Sequence, residues 1–211
     1  MFNGCVTIAA LSTAGMLRPW RQLPASGPPW PWLLAWAVMP LLWGIDRYTA
    51  AALVQPMSGA VLLVLLAGWP MAIVAMLPVA ALTALAAHLD IIEAIHRLVW
   101  LGIMPATLAL GVGAVVRHAL PRHLFVYIFG RGFLGTLVAC TVAGALSVAG
   151  HAAPTGTSTG DLLIAQLLAS FGEAFITGML TAILVAFHPR WLATYADRLY
   201  LPRDDGSANG R

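Results

Sequence analysis

Long apolar runs separated by short polar segments make up almost the whole chain. The runs are continuous, without the alternation of apolar and polar residues that strands of a membrane β-barrel show. Most of them are close to or above the ~17 residues that an α-helix needs to cross a bilayer. We therefore predict an all-α integral membrane protein, a bundle of about seven transmembrane helices. The runs are Phe2–Leu17, Trp30–Ile45, Ala50–Gly68, Met71–Ala87, Leu98–Val116, Leu124–Gly150 and Leu162–Phe187.

The composition supports a membrane environment. Charged residues make up 9% of the chain, hydrophobic residues make up 60%, and the mean hydropathy is +0.86. A soluble domain carries about 25% charged residues, so this chain lacks the charge to cover a water-facing surface. Its net charge of +3 comes from residues at the ends of runs, which argues against nucleic-acid binding. We predict a polytopic transmembrane domain over residues 1–200, surrounded by lipid, and a disordered cytoplasmic tail over residues 201–211.

Arginine positions indicate the orientation of the bundle. Arg18 follows the first run, Arg117 follows the fifth, and Arg190 follows the seventh. With seven spans these positions fall on one side, which the positive-inside rule assigns to the cytoplasm. The N-terminus is then predicted to be periplasmic and the C-terminus cytoplasmic. Because the first two runs are the shortest, six spans remain the alternative count.

The densest group of polar side chains lies between the fourth and fifth runs. His88, Asp90, Glu93 and His96 fall within nine residues, and Glu93 and His96 share a helical face because they are three residues apart. A carboxylate and an imidazole at this spacing can bind one divalent transition-metal ion. The alternative interpretation is a short amphipathic linker at the membrane surface. Both interpretations remain open at this point.

Glu173 is a second candidate because it lies near the middle of the last run, Leu162–Phe187. An intramembrane carboxylate usually faces the interior of a helix bundle, pairs with a base, and marks a site or pathway. Arg131 is the nearest candidate partner by residue type, although a direct pair requires an offset between the two helices. Alternatively, a protonated Glu173 holds two helices together through Ser170, Thr177 or a free carbonyl group.

Motifs for soluble-type catalysis lack the context that they need. The chain has no phosphate-binding P-loop and no HExxH, and GxGxxG and GxSxG occur once each, at residues 130–135 and 156–160. Both of these patterns function at a turn between a strand and a helix, and the continuous apolar runs predict no strands. The sequence therefore does not favour a serine hydrolase, a nucleotide-driven enzyme or a zinc protease. If ATP drives transport, another subunit must hydrolyse it.

Three segments resemble a known family. The chain resembles the membrane substrate-capture subunit of cobalt and nickel energy-coupling-factor ABC transporters, over most of its length from about Gln55 onward. The resemblance implies seven helices with the N-terminus outside, a transition-metal ion as substrate, and a bacterial inner-membrane location. It also implies a transmembrane coupling subunit and ATPase subunits as partners. The matching segments are Arg122–Phe133, Gly172–Leu180 and His188–Leu192.

The chain departs from this family in the residues that bind metal. The resembled subunits begin Met-His and carry histidines before the third span, whereas this chain has Phe2 and no histidine in Val54–Gly59. The family's ligands therefore have no counterparts here, and other groups must replace them if a metal binds. Candidates on the predicted outer side are the N-terminal amine, Cys5, Met57, His88, Asp90, Glu93, His96 and His151.

Three functions follow from these observations. The first is an inner-membrane permease or capture subunit for a transition-metal ion, with ATP hydrolysis supplied by partner subunits. The second is a membrane-embedded metalloenzyme or metal-cofactor assembly factor that uses Glu93, His96 and Glu173. The third is a structural membrane subunit without a ligand.

Overall fold

The computed structural model describes residues 2–17, 30–49, 54–121, 123–150 and 157–195. All regular secondary structure within these ranges is helical. Two segments, Leu98–Ile103 and Val126–Leu134, are π-helical, and Pro189–Trp191 form a 3-10 turn. The α-helices are α1 (Phe2–Met16), α2 (Trp30–Trp43), α3 (Ile45–Tyr48), α4 (Ala60–Ala67), α5 (Trp69–Ala86), α6 (Ile91–Arg97), α7 (Met104–Ala119), α8 (Gly135–Gly150) and α9 (Thr159–Phe187).

Four helical stretches are long and apolar enough to cross a membrane. They are Trp69–Ala86, Ile91–Ala119, Val126–Gly150 and Thr159–Phe187. The second stretch joins α6 to α7 through a π-helical segment, and the third joins the other π-helical segment to α8. Helix α1 and residues 33–43 of α2 are apolar but shorter. The all-α prediction is confirmed for the described residues.

The third predicted run, Ala50–Gly68, is not one continuous helix. Residues 54–59 have no regular secondary structure and only α4, eight residues long, is helical. Pro56 has no N–H for a helical hydrogen bond, and Gly59 adopts a left-handed φ of 66° immediately before α4. Hydropathy could not reveal this break, because the segment carries no charge. The break leaves polar backbone groups inside an apolar bundle. Residues 50–53 lie outside the described ranges.

Glycine is required at position 59, because L-residues pay roughly 1–2 kcal/mol in the left-handed region. A Cβ there would also lie 3.3 Å from the Cγ of Met39. We expect Gly59→Ala to lower the free energy of unfolding by at least about 1 kcal/mol, measured by thermal unfolding in detergent. The matched control is Gly111→Ala in α7, where nothing lies within 4 Å of the added Cβ. An equal loss in both variants would contradict this explanation.

The helices pack in two groups. One core contains buried residues of α1, α2, α4 and α5 together with residues 98–106 of the 91–119 stretch, and Trp43 is its largest fully buried member. Helices α7, α8 and α9 pack side by side as the second group. Large aliphatic and aromatic side chains, such as Leu168 and Phe175, lie exposed on the outside of the bundle. An apolar exterior of this kind matches a lipid environment.

Several predictions concern residues outside the described ranges. These are the disordered tail over residues 201–211, and the roles of Arg18, His151 and the N-terminal amine. They stay predictions.

Candidate functional site

A cavity of about 240 Å³ extends into the bundle from the partly exposed Glu93 to the buried Glu173. We call it the polar cavity. Its walls come from the segment before α4, the 91–119 stretch, α8 and α9. Its polar or charged lining residues are Gln55, Ser58, Glu93, His96, Arg97, Cys140, Ser147, Gln166 and Glu173, and its apolar lining includes Trp100, Leu101 and Pro105.

Glu173 forms the inner end of the polar cavity. Its carboxylate accepts hydrogen bonds from the backbone N–H groups of Ser58, at 2.7 Å, and Gly59, at 2.8 Å. These N–H groups precede α4 and have no partner within that helix, so the carboxylate on α9 acts as a helix cap. The Cys140 thiol of α8 also interacts with this carboxylate. One side chain thereby joins α9, α8 and the start of α4.

Further bonds hold the segment before α4 in place. The Ser58 hydroxyl accepts a hydrogen bond from the Ala60 N–H at 3.0 Å. The indole N–H of Trp43, which is fully buried, donates to the Ser58 carbonyl at 2.7 Å. Non-helical backbone at membrane depth is tolerated only where protein satisfies its polar groups. Glu173, Ser58 and Trp43 supply those partners here.

The prediction that Glu173 faces the bundle interior is confirmed, because only 5% of the residue is exposed. Its carboxylate binds the N–H groups of Ser58 and Gly59 rather than Ser170 or Thr177. The Ser170 hydroxyl donates to the Gln166 carbonyl within α9.

Arg131 does not pair with Glu173 either. Its guanidinium lies 5.6 Å from the centre of the Tyr127 ring, and its Nη1 donates to the Thr194 carbonyl at 3.5 Å. Both contacts are at the far end of α9 from the Glu93 end of the bundle. The two residues lie at different heights along the bundle, because Arg131 is near the start of the 126–150 stretch and Glu173 is near the middle of α9.

The outer end of the polar cavity carries a network of ion pairs. Arg97 donates to both carboxylate oxygens of Asp46 at 2.7 Å, to Glu93 Oε1 at 2.9 Å, and to the Trp43 carbonyl. Arg47 donates to the two Glu93 oxygens at 2.6 and 2.5 Å. Two arginines balance two carboxylates, so the network is neutral. It ties α3 to α6 beside the mouth of the cavity.

The four residues of the predicted metal cluster have separate roles. Asp90 caps α6 by accepting the Glu93 N–H at 2.7 Å, and His88 lies in the preceding turn with a φ of 51°. His96 Nδ1 lies 3.3 Å from the side-chain nitrogen of Asn3. Of the four, Glu93 and His96 line the polar cavity, whereas His88 and Asp90 are not among its lining residues.

The described residues contain no group of three or more His, Cys, Asp and Glu side chains that could hold a metal ion. The Glu93 carboxylate binds two arginines, and the Asp90 carboxylate accepts a hydrogen bond from a backbone N–H. The metal site at His88, Asp90, Glu93 and His96 therefore gains no support from the geometry and stays a prediction.

The chain matches no protein-family model, no curated protein and no solved structure. The resemblance to the metal-capture subunits stays a prediction, and the function has to be argued from the geometry of the site.

Sequence reasoning found Glu173 but missed the other residues of α8 and α9 that line the polar cavity. Cys140, Gly144 and Ser147 are spaced by four and three residues, and Gln166 and Glu173 by seven, so each set lies on one helical face. The Gly144 position has no room for a side chain, because a Cβ would collide with Gln166. The sequence signal that could have indicated these lining residues is a stripe of small and polar residues along one face of each of two apolar runs.

Proposed function

We propose that the protein is a polytopic inner-membrane permease or substrate-capture subunit that takes up a transition-metal ion, in the manner of energy-coupling-factor transporters. The observation that carries this proposal is the polar cavity, which reaches from Glu93 to Glu173 inside a bundle with an apolar exterior. A structural subunit without a ligand has no need of such a cavity.

The broken helix at the inner end of the cavity supports transport. In many transporters, substrate sites lie near the bilayer midplane, where discontinuous helices expose backbone groups. Here the non-helical residues 54–59 precede the eight-residue α4 beside the buried Glu173. An ionisable residue in such a position is a functional-site hypothesis in its own right.

Charge favours a cation as the cargo. The network at the mouth is neutral, so Glu173 is the acidic lining residue without a charged side chain as partner among the described residues. The imidazole of His96 and the thiol of Cys140 line the same cavity, and nitrogen and sulfur ligands select transition metals over magnesium or calcium. The ion would keep some ligands of its own, such as water, because the chain supplies few.

Seven spans, with the N-terminus in the periplasm and the C-terminus in the cytoplasm, are part of this proposal. The mouth at Glu93 then opens outward. We expect a reporter that is active only outside the cytoplasm to work when fused before Met1 or inserted at Thr157, and to be inactive after Arg203. Reporter activity at both termini, or at neither, would place the termini on the same side of the membrane and reduce the number of spans to six.

Partners are needed for energy coupling, since the sequence contains no phosphate-binding P-loop. We propose a transmembrane coupling subunit and cytoplasmic ATPase subunits, in the plasma membrane of a bacterium. Binding of the ion in the cavity of the isolated protein requires neither the coupling subunit nor the ATPase subunits.

A second candidate is a membrane metalloenzyme or metal-cofactor assembly factor. One observation favours it, namely that Glu93, His96 and Glu173 line the same cavity. The purified protein distinguishes the two functions after it is loaded with nickel, cobalt, copper or zinc. A capture subunit releases the ion unchanged to a chelator, whereas an enzyme shows redox or hydrolytic turnover.

A further inference from the structure

Helix α4 is held at both ends by one stretch of chain. At its start, the Glu173 carboxylate of α9 binds the N–H groups of Ser58 and Gly59. At its end, residues 188–195, which directly follow α9, return to the bundle and bind α4 again. We call residues 188–195 the strap.

Backbone bonds attach the strap to α4. The Ala193 N–H donates to the Leu66 carbonyl at 3.1 Å, and the Thr194 N–H donates to the Leu65 carbonyl at 3.4 Å. The hydroxyl of Thr194 donates to the same Leu65 carbonyl at 3.2 Å. These carbonyls belong to the last turn of α4, where a helix leaves its acceptors unpaired. The strap therefore completes the C-terminal end of a helix that Gly68 stops after eight residues.

A small apolar cluster lies between the strap and the inside of the bundle. Leu65 of α4, Tyr127, Val185 of α9 and Leu192 of the strap are all buried and pack together. The Tyr127 hydroxyl lies 2.8 Å from the hydroxyl of Thr194, and the Tyr127 ring packs on Tyr195 with a centroid distance of 5.0 Å. Helix α4 therefore lies between Glu173, bound at its start, and the strap, bound at its end.

We propose that the strap is a gate. Its release from Leu65 and Leu66 frees the C-terminal end of α4, opens the cluster around Tyr127, and connects the inner end of the polar cavity to the strap end of the bundle. The chain then contains a complete pathway of its own rather than a cavity open at one end. This inference goes beyond the proposed function and does not depend on the nature of the cargo.

The strap has the properties of a movable element. It is short, its Arg190, Trp191 and Ala193 are exposed, and it is anchored by a few polar bonds and one buried leucine. Segments with few buried contacts open at lower free energy than the rest of a fold. By contrast, Glu173 lies inside α9 and is buried. Opening therefore starts at the strap end.

The native Cys140 reports on the gate, since it lines the inner end of the polar cavity. In a Cys5→Ser background, a membrane-impermeant trimethylammonium methanethiosulfonate is added to right-side-out or inside-out vesicles, and the rate of Cys140 modification is measured by mass spectrometry. Two variants weaken the strap. Thr194→Val removes the hydroxyl bonded to Tyr127 and Leu65, and the milder Tyr127→Phe removes only its partner. The matched control is Thr181→Val, whose buried hydroxyl bonds to Thr177 within α9.

We expect the unmodified strap to permit labelling only from the Glu93 side. Thr194→Val should raise the rate from the strap side by about fivefold to thirtyfold, the shift in open population expected for the loss of a hydroxyl that makes two hydrogen bonds. Tyr127→Phe should have a smaller effect, and Thr181→Val none. An unchanged rate from the strap side in both strap variants overturns the proposal, as does an equal rise in the control. Failure of the protein to bind a cation leaves this result unaffected, so the two proposals are tested separately.

Discussion

Replacing Glu173 with leucine should destabilise the protein more strongly than the loss of any other polar side chain in the bundle. The side chain keeps a similar volume, but the N–H groups of Ser58 and Gly59 lose their acceptor inside the bundle. Each unpaired buried group costs about 1–3 kcal/mol, so the expected loss is about 2–6 kcal/mol. Thermal unfolding of the purified protein in detergent measures it.

The conservative variant Glu173→Gln separates structure from transport. One amide oxygen can accept one of the two N–H groups, whereas the amide nitrogen faces the other N–H as a second donor. We expect about half of the loss seen with leucine, and a protein that folds but no longer captures a cation. The matched control is Ser170→Ala on the same helix, whose hydroxyl bonds to Gln166 one turn earlier and not to α4. A leucine variant as stable as the wild type would show that the Glu173 bonds do not hold α4.

Arg97 should be the second most sensitive position, because its side chain is 8% exposed and it binds three acceptors. Arg97→Leu leaves Asp46 and the Trp43 carbonyl without this donor and leaves Glu93 with Arg47 alone. Removal of one partner from a buried ion pair costs about 3–5 kcal/mol. Because the two carboxylates are partly exposed, at 29% and 30%, we expect a loss near the lower end of this range.

Arg47→Leu is the matched control for Arg97. Arg47 binds the same Glu93, but its side chain is 48% exposed, and exposed ion pairs contribute about 0–1 kcal/mol. The comparison uses thermal unfolding at low and high salt. A similar loss in the two variants would mean that the network is a surface feature without a role in holding α3 against α6.

The sequence predicted the burial of Glu173 but not its partners. A carboxylate in the middle of an apolar run must face protein, and this follows from solvation alone. Its partners are backbone N–H groups from a segment more than a hundred residues away. That segment lies in a run that hydrophobicity assigned to a continuous helix, because Pro56, Ser58 and Gly59 carry no charge. Periodicity and hydropathy detect apolar surface, not the local backbone geometry that leaves amides unpaired.

The group of His88, Asp90, Glu93 and His96 shows a similar limit of prediction from sequence. The three-residue spacing placed Glu93 and His96 on one face, and both line the polar cavity. The same reasoning could not foresee that Arg47, which is 46 positions away from Glu93, would occupy the Glu93 carboxylate. Cys140 lies in an apolar run without a polar motif around it, and only the packing of α8 against α9 brings it to Glu173. A set of ligands that comes from residues far apart in the sequence can be identified only when the fold is known.

The most direct test of the central claim is the metal content of the purified protein, measured by plasma mass spectrometry after equilibration with nickel, cobalt, copper or zinc. His96→Ala and Cys140→Ser change the lining of the polar cavity, whereas His118→Ala and Cys5→Ser change the same residue types away from it. We predict that one of the ions binds to the wild type and both controls, and that binding falls in both cavity variants. Metal at background level in the wild type, or equal binding in all five proteins, would contradict the proposal that this cavity captures a transition-metal ion.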